Sequence, residues 1–280
     1  MKVNGVKFRY INGQCYEFIL PNGKHLLLDP YISDQTLPGF REFKIDEIER
    51  CDYVLLTHSH WDHTSDLGNV CNRFDSKLFC GAPVAAELSE YFKIKPGRIY
   101  PFENMDVYET EDFTLKAIRG RHFPLLNLGK YGGQPEDYPE SFGGKEYRHL
   151  NFEGTLFSYD FCLTLGNNLR IMLVSGVDEF RNIYKVADEF KPDLLFRHTA
   201  GNIPGAEWAK VIARFNAPFA FPMHQDNLYN GKWGKTMEEF SEEIRGELKN
   251  LNSDTVFVNP EPYQWYDLSF QLSLETDPVR

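Results

Sequence analysis

A mixed α/β fold is predicted, because two kinds of segment share the chain. One kind is short, apolar and partly β-branched: residues 52–57, 113–118, 171–174, 193–197 and 220–223 each read as a strand. The other carries apolar residues at helical spacing, around 82–92, 180–190, 207–215 and 236–250. A third observation places the chemistry. Histidine and aspartate gather just past the ends of several strand-like runs, where side chains from distant sequence can converge on one cleft.

Strands dominate the first third. Residues 6–29 suggest a meander, with Pro21-Asn22-Gly23-Lys24 as a hairpin turn. The helix over 82–92 is expected to bury Ala85, Ala86, Leu88 and Phe92, and the helix over 180–190 is ended by Lys191-Pro192. The clearest helix, 236–250, opens on a capping-box-like Thr236…Glu239 and lays Met237, Phe240, Ile244 and Leu248 along one face. That stripe reads as core packing. No repeat is visible residue by residue, and there is no low-complexity tract.

With 280 residues and 42% hydrophobic content the chain can bury a substantial core, and it reads as a single domain, 1–280. A net charge of −11 argues against nucleic acid as a partner, since phosphate binding needs a basic surface. Met1-Lys2-Val3-Asn4-Gly5-Val6-Lys7-Phe8 has no apolar core of a signal peptide. No run of about 18 apolar residues exists, so no membrane span is expected. Cys15, Cys51, Cys71, Cys80 and Cys162 are an odd, scattered set and read as reduced, buried thiols of a cytoplasmic protein.

The most informative segment is Thr57-His58-Ser59-His60-Trp61-Asp62-His63-Thr64, directly after the strand at 52–57. Imidazole nitrogens and carboxylate oxygens are ligands for borderline divalent metals. In extended backbone His58 and His60 point the same way, while Ser59 and Trp61 face the other side, where Trp61 packs. The backbone then turns into a short helix, so Asp62 and His63 reach a second centre beside the first. Two metals need further ligands from distant sequence. His122, Asp178 and His224 each follow a strand-like run and are the candidates, though any one alone would be an ordinary loop residue.

These residues resemble the metallo-β-lactamase-fold superfamily: a His-x-His-x-Asp-His motif, then a lone His, a lone Asp and a last His. The chain shows them in that order as His58, His60, Asp62 and His63, then His122, Asp178 and His224. Leu26-Leu27-Leu28-Asp29-Pro30 also resembles the family's early strand ending in Asp. Asp-Pro-Tyr near the start and Pro-Met-His near the end are most similar to the ascorbate-6-phosphate-lactonase-like branch. One departure is Gly176-Val177-Asp178, where the family usually has Gly immediately before the Asp.

The resemblance implies a four-layer αββα sandwich of two mixed β-sheets with the metals at one edge. It implies that His58, His60 and His122 hold one ion, that Asp62, His63 and His224 hold another, and that Asp178 bridges. Two divalent metal ions are thus the expected cofactors, zinc or manganese, with iron accepted by the same donors. Such a pair acidifies a water for attack on a carbonyl or phosphoryl centre. Asp62 would ligate and orient the nucleophile, and Asp29 is a candidate acceptor for a ligand N–H.

Residues 123–155 break the pattern with Gly132-Gly133, Pro135, Pro139 and Gly143-Gly144. Structureless loops of this length are uncommon and are often lids. Because the segment starts directly after His122, it is expected to cover the cleft or reach across a dimer interface. It leaves room for a homo-oligomer, and its excision at 128–146 is expected to spare metal binding while altering substrate preference. His198, at another strand end, faintly resembles the proton-donating histidine of tRNA-processing endonucleases in this superfamily, without their acidic partner. It is a candidate acid for the leaving group, with Arg197 beside it. Arg119, Arg121 and Arg148 are candidates for a substrate anion; His25 and His149 read as structural.

The leading reading is a metal-dependent hydrolase of a small, anionic ester, lactone or phosphodiester. A phosphodiesterase or nuclease is the second, weakened by the acidic composition. A mononuclear iron oxidoreductase like the persulfide dioxygenases is the third. The full second ligand set favours hydrolysis over it, and over a non-catalytic scaffold.

Overall fold

The computed structural model describes residues 2–34, 36–122, 133–176, 183–199, 203–231 and 234–271. Strands β1 (Lys2–Asn12), β2 (Cys15–Ile19), β3 (His25–Leu28), β4 (Tyr53–Leu55), β5 (Lys77–Gly81) and β6 (Ile99–Phe102) open the chain. Then come β7 (Val107–Glu109), β8 (Phe113–Arg119), β9 (Tyr159–Leu165), β10 (Arg170–Val174), β11 (Leu194–His198), β12 (Phe219–Met223) and β13 (Val256–Phe257). The last strand, β14 (Tyr266–Gln271), returns antiparallel to β1. They form two seven-stranded sheets, ordered β14-β1-β2-β3-β4-β5-β6 and β13-β12-β11-β10-β9-β8-β7.

Both sheets are mixed, and in the same order. From the β14 edge, three antiparallel pairings are followed by three parallel ones. From the β7 edge, the second sheet repeats that order. The repetition is therefore topological: strand pairing reproduces it although the residues do not.

Period-two alternation divides the apolar residues between two sides of each sheet. Tyr53 and Leu55 face the core between the sheets, together with Phe8, Phe18, Phe161, Phe196 and Phe221. Val54 and Leu56 face outward, under helices α2 (Leu67–Phe74), α3 (Ala82–Phe92) and α4 (Arg148–Leu156), beside the single turn α1 (Trp61–Thr64). On the far side, Met172, Val174 and Leu195 pack under α5 (Ile183–Phe190), α6 (Gly205–Phe215), α7 (Asp226–Tyr229) and α8 (Met237–Asn250). Helices, sheet, sheet, helices: the four layers expected are those observed. In the central layer Phe196 stacks on Phe221 at 4.7 Å and meets Phe8 edge-on at 5.4 Å. Each such ring, fully buried, contributes about 1.5–3 kcal/mol from area alone.

The capping box of α8 forms as the spacing predicts. Glu239 N donates to Thr236 Oγ1 at 3.2 Å, Thr236 N donates to Glu239 Oε2 at 2.8 Å, and the four stripe residues are buried. Two expectations need correction. In α3 the buried positions are Val84 and Leu88, one turn apart, and Ala86 is exposed. In the segment read as irregular, 148–156 is α4, a helix held by Leu150 in the outer core. All five cysteines are free and buried, and among the described residues no helix is long and apolar enough to cross a membrane.

Candidate metal centre

The motif begins where β4 runs out. Leu56 N still pairs with Phe79 O at 2.9 Å and Tyr159 N with Thr57 O at 3.0 Å, so the backbone stays extended into the first histidine. His60 is extended too, at φ −63° and ψ 151°, and precedes α1. His63 N then closes the turn on His60 O at 3.0 Å. Extended backbone followed by one helical turn aims two histidines at one centre and the next pair at another.

Ligand atoms of His58, His60 and His122 lie within 4.8 Å of one another, and those of Asp62, His63 and His224 form a second such group. The groups adjoin. Ring centres of His58 and His63 are 3.8 Å apart, and His63 Nε2 faces His224 Nε2 at 3.3 Å. Asp62 oxygens lie 3.9 Å from His63 Nε2 and 3.6 Å from His224 Nε2. His122, three residues past the end of β8, stands 4.4 Å from His60 and 4.8 Å from His58 between ring centres. His224 follows β12 in left-handed backbone, φ +62°. For a non-glycine residue that costs about 1–3 kcal/mol and persists only where the surroundings enforce it. Here His224 N donates to Gly13 O at 2.8 Å, in the β1–β2 turn. Asp178 lies outside the described residues.

Metal-ligating histidines usually anchor their second ring nitrogen on an oxygen. Four histidines here do so. His63 Nδ1 donates to Asp29 Oδ2 at 2.8 Å, and His224 Nδ1 to Asp226 Oδ1 at 2.9 Å. His58 Nδ1 donates to Thr57 Oγ1 at 2.9 Å, and that hydroxyl donates on to Asp29 Oδ2 at 2.6 Å. His60 Nε2 contacts Thr155 Oγ1 at 2.8 Å. The remaining nitrogens are left for the centre, and His58 Nε2 is buried with no hydrogen-bond partner. An orphaned buried nitrogen is costly unless something binds there. The residues therefore fit a pair of divalent ions.

For three of these histidines electrostatics point the same way. Burial first, then neighbouring histidines, pushes His58, His60 and His63 well below the usual imidazole value, which keeps them in the neutral, ligating form. For His224 burial acts in the same sense but is outweighed by Asp226, Asp62 and Asp29, so it is raised. Burial pushes Asp29 up to about 8, against the hydrogen bonds from Thr57.

His198 ends β11 with its ring 4.7 Å from that of His224, and its Nδ1 is buried without a hydrogen-bond partner. The other basic candidates are engaged with the protein. Arg197 Nη1 donates to His198 O at 2.8 Å, Arg119 Nη2 to Leu156 O at 3.0 Å, and Arg148 stands 3.5 Å from Glu140. His25 pairs with Glu17 at 2.8 Å, a structural role as expected. Glu87, His149 and Glu153 form a third group within 4.8 Å, where His149 is exposed and paired with Glu87 at 2.6 Å.

Sequence reasoning missed four supporting residues. Asp226 had a signal, two positions after His224, and Thr57 had its place beside the motif. Thr155 and Tyr138 had none, because they reach the site through α4 and its preceding loop. That segment braces the motif. Ser59 Oγ donates to Leu150 O at 2.6 Å and Trp61 N to Asn151 Oδ1 at 3.0 Å, while the Thr64 and Tyr147 hydroxyls meet at 2.5 Å. Gly143, at φ +83°, lies so close to Trp61 that a Cβ would sit 2.6 Å from its ring.

Known proteins agree with this architecture. The profile of the metallo-beta-lactamase superfamily matches residues 12–206. A UPF0173 metal-dependent hydrolase of Cupriavidus taiwanensis is 22% identical over 255 residues, 88% of this chain and 81% of that one. Another, from Flavobacterium johnsoniae, is 25% identical over 142 residues, 50% of this chain and 59%, less than two thirds, of its own length. Igni18, described as a novel metallo hydrolase from Ignicoccus hospitalis, superposes with a TM-score of 0.65 at 11% identity, over 96% of this chain and 99% of that one. At such identity the likeness concerns the fold alone. The profile, by contrast, spans more than half of the chain and contains most of the site, and on that ground the chain belongs to the metallo-β-lactamase superfamily.

Proposed function

We propose that this chain is a metal-dependent hydrolase of a small, anionic ester, lactone or phosphodiester. In this reading His58, His60 and His122 hold one divalent ion, zinc or manganese, and Asp62, His63 and His224 hold a second, with Asp178 as the bridging ligand by family analogy. The observation that carries it is the pair of adjoining groups, four of whose five histidines are anchored on their far sides. The names of the relatives, metal-dependent hydrolases, support it. When bound, the ions supply an acidified water and neutralise charge developing on the attacked centre.

The chain's own residues divide the remaining work. Asp62, with 24% of its side chain exposed where His63 has 2%, is the partly open member of its group and orients the nucleophile. Burial and then His224 hold His198 well below the usual imidazole value, so it takes up a proton released in the attack and passes it to the leaving group from the His224 side. The insertion at about 123–155, of which 123–132 lie outside the described residues, shapes substrate preference. Free, buried thiols fit a reducing, cytoplasmic setting.

Elemental analysis of protein purified without added metal or chelator tests the reading. About two zinc or manganese ions per chain are expected, falling to about one in His224→Ala, with turnover of lactones or phosphodiesters lost on chelation. One iron per chain, indifferent to His224→Ala, would instead favour the oxygen-dependent oxidoreductase.

A further inference from the structure

His60 is gripped from outside by a residue 95 positions along the chain. Its Nε2 lies 2.8 Å from Thr155 Oγ1, and Tyr138 Oη lies 2.6 Å from the same oxygen. A hydroxyl has one proton and two lone pairs. Inside α4 the Thr155 proton goes to Tyr138 Oη or turns back toward Asn151 O at 3.5 Å, the i−4 pattern of helical threonine. With the proton on either, Thr155 Oγ1 accepts from His60 Nε2–H. His60 is thereby held in the tautomer whose Nδ1 carries the free lone pair. Beside it, a Cβ on Gly154 would come within 2.6 Å of His60 Cδ2 and 2.9 Å of His60 N, so α4 lies flat against this histidine.

Resting on the metal-binding reading above, we propose that Thr155, held in turn by Tyr138, is a positioning residue for the first ion. It sets the tautomer and orientation of His60, and the segment after His122 thereby sets the metal affinity of the motif before it. If Thr155 merely fills space in α4, isosteric valine will replace it without consequence. If the hydroxyl matters, serine will replace it and valine will not.

The test is zinc affinity of the full chain by competition with a chromophoric chelator, together with the visible spectrum of the cobalt-loaded protein. T155V should weaken one ion per chain about 10–100-fold and change the cobalt spectrum, as loss of a ligand's outer partner does. T155S should bind close to wild type, and Y138F should fall between. Unchanged affinity and spectrum in T155V overturns the proposal, as do equal losses in T155V and T155S, which would assign the effect to packing. Should T155V fail to fold, Y138F carries the test, and wild-type behaviour there overturns it. A wild type that binds neither zinc nor manganese sinks the metal reading itself. H60A losing an ion while T155V keeps both would leave that reading standing and remove this proposal alone.

Discussion

Asp29 Oδ2 lies 2.8 Å from His63 Nδ1 and also accepts, at 2.6 Å, the Thr57 hydroxyl on which His58 is anchored. One buried carboxylate thus braces a histidine in each ligand group. Asp29 itself stands in left-handed backbone, φ +42°, a conformation that a non-glycine residue keeps only where its surroundings hold it. Replacing Asp29 with Asn is expected to weaken both ions about 10–100-fold, whereas Thr57→Val should weaken chiefly the one held by His58. Chelator competition reads both constants; a loss confined to the His63 group in Asp29→Asn would contradict the shared brace.

His198 has a buried ring nitrogen aimed at no protein partner and sits against His224. His198→Ala is expected to lower turnover about 10²–10⁴-fold, the usual worth of a proton donor, with metal content unchanged. Steady-state kinetics on the best substrate, paired with elemental analysis, separates the two. Wild-type turnover would remove His198 from the reaction.

Excision of 128–146 takes away Tyr138 and also Phe142, whose carbonyl accepts from Asn151 Nδ2 at 2.7 Å. A change of substrate preference is therefore expected together with a weaker first ion. Retained zinc affinity with altered specificity would leave only the cleft-covering role.

His149 is raised above the usual imidazole value by its hydrogen bond to Glu87, which ties α4 to α3. A histidine raised on folding stabilises most below its unfolded value, about 6.5, and that contribution disappears as pH rises through the folded value. With 53% of the His149 side chain exposed, solvent limits the effect to under about 1 kcal/mol. NMR titration should place His149 above 6.5 and return it to the ordinary value in Glu87→Gln; no difference between the two would discard the pairing.

Stability should depend on the central layer far more than on caps. Phe196→Ala removes a ring at the junction of both sheets and is expected to cost about 3–5 kcal/mol. Thr236→Ala removes an exposed N-cap and should cost about 0.5–2 kcal/mol. Urea denaturation ranks them, and near-equal losses would mean that the aromatic layer repacks.

Most of the strands and helices, and the cluster of His58, His60, Asp62 and His63, were legible in the sequence by itself. Period-two alternation in 53–56, the capping box at Thr236 and the spacing of His58, His60, Asp62 and His63 are local patterns, and local backbone geometry turns them directly into direction. It could also rank His122 and His224 as ligands, since each ends a strand-like run. What only the tertiary structure decided is which side chains stand behind those ligands. Thr155 reaches His60 because α4 packs on the outer face of the first sheet, and α4 forms although its approach is rich in glycine and proline. Burial of Leu150 and bonds to Ser59 and Trp61 outweigh that weak local preference. Two mixed sheets were expected from the family resemblance alone, because strand order is a property of pairing between distant segments and leaves no mark on any single one.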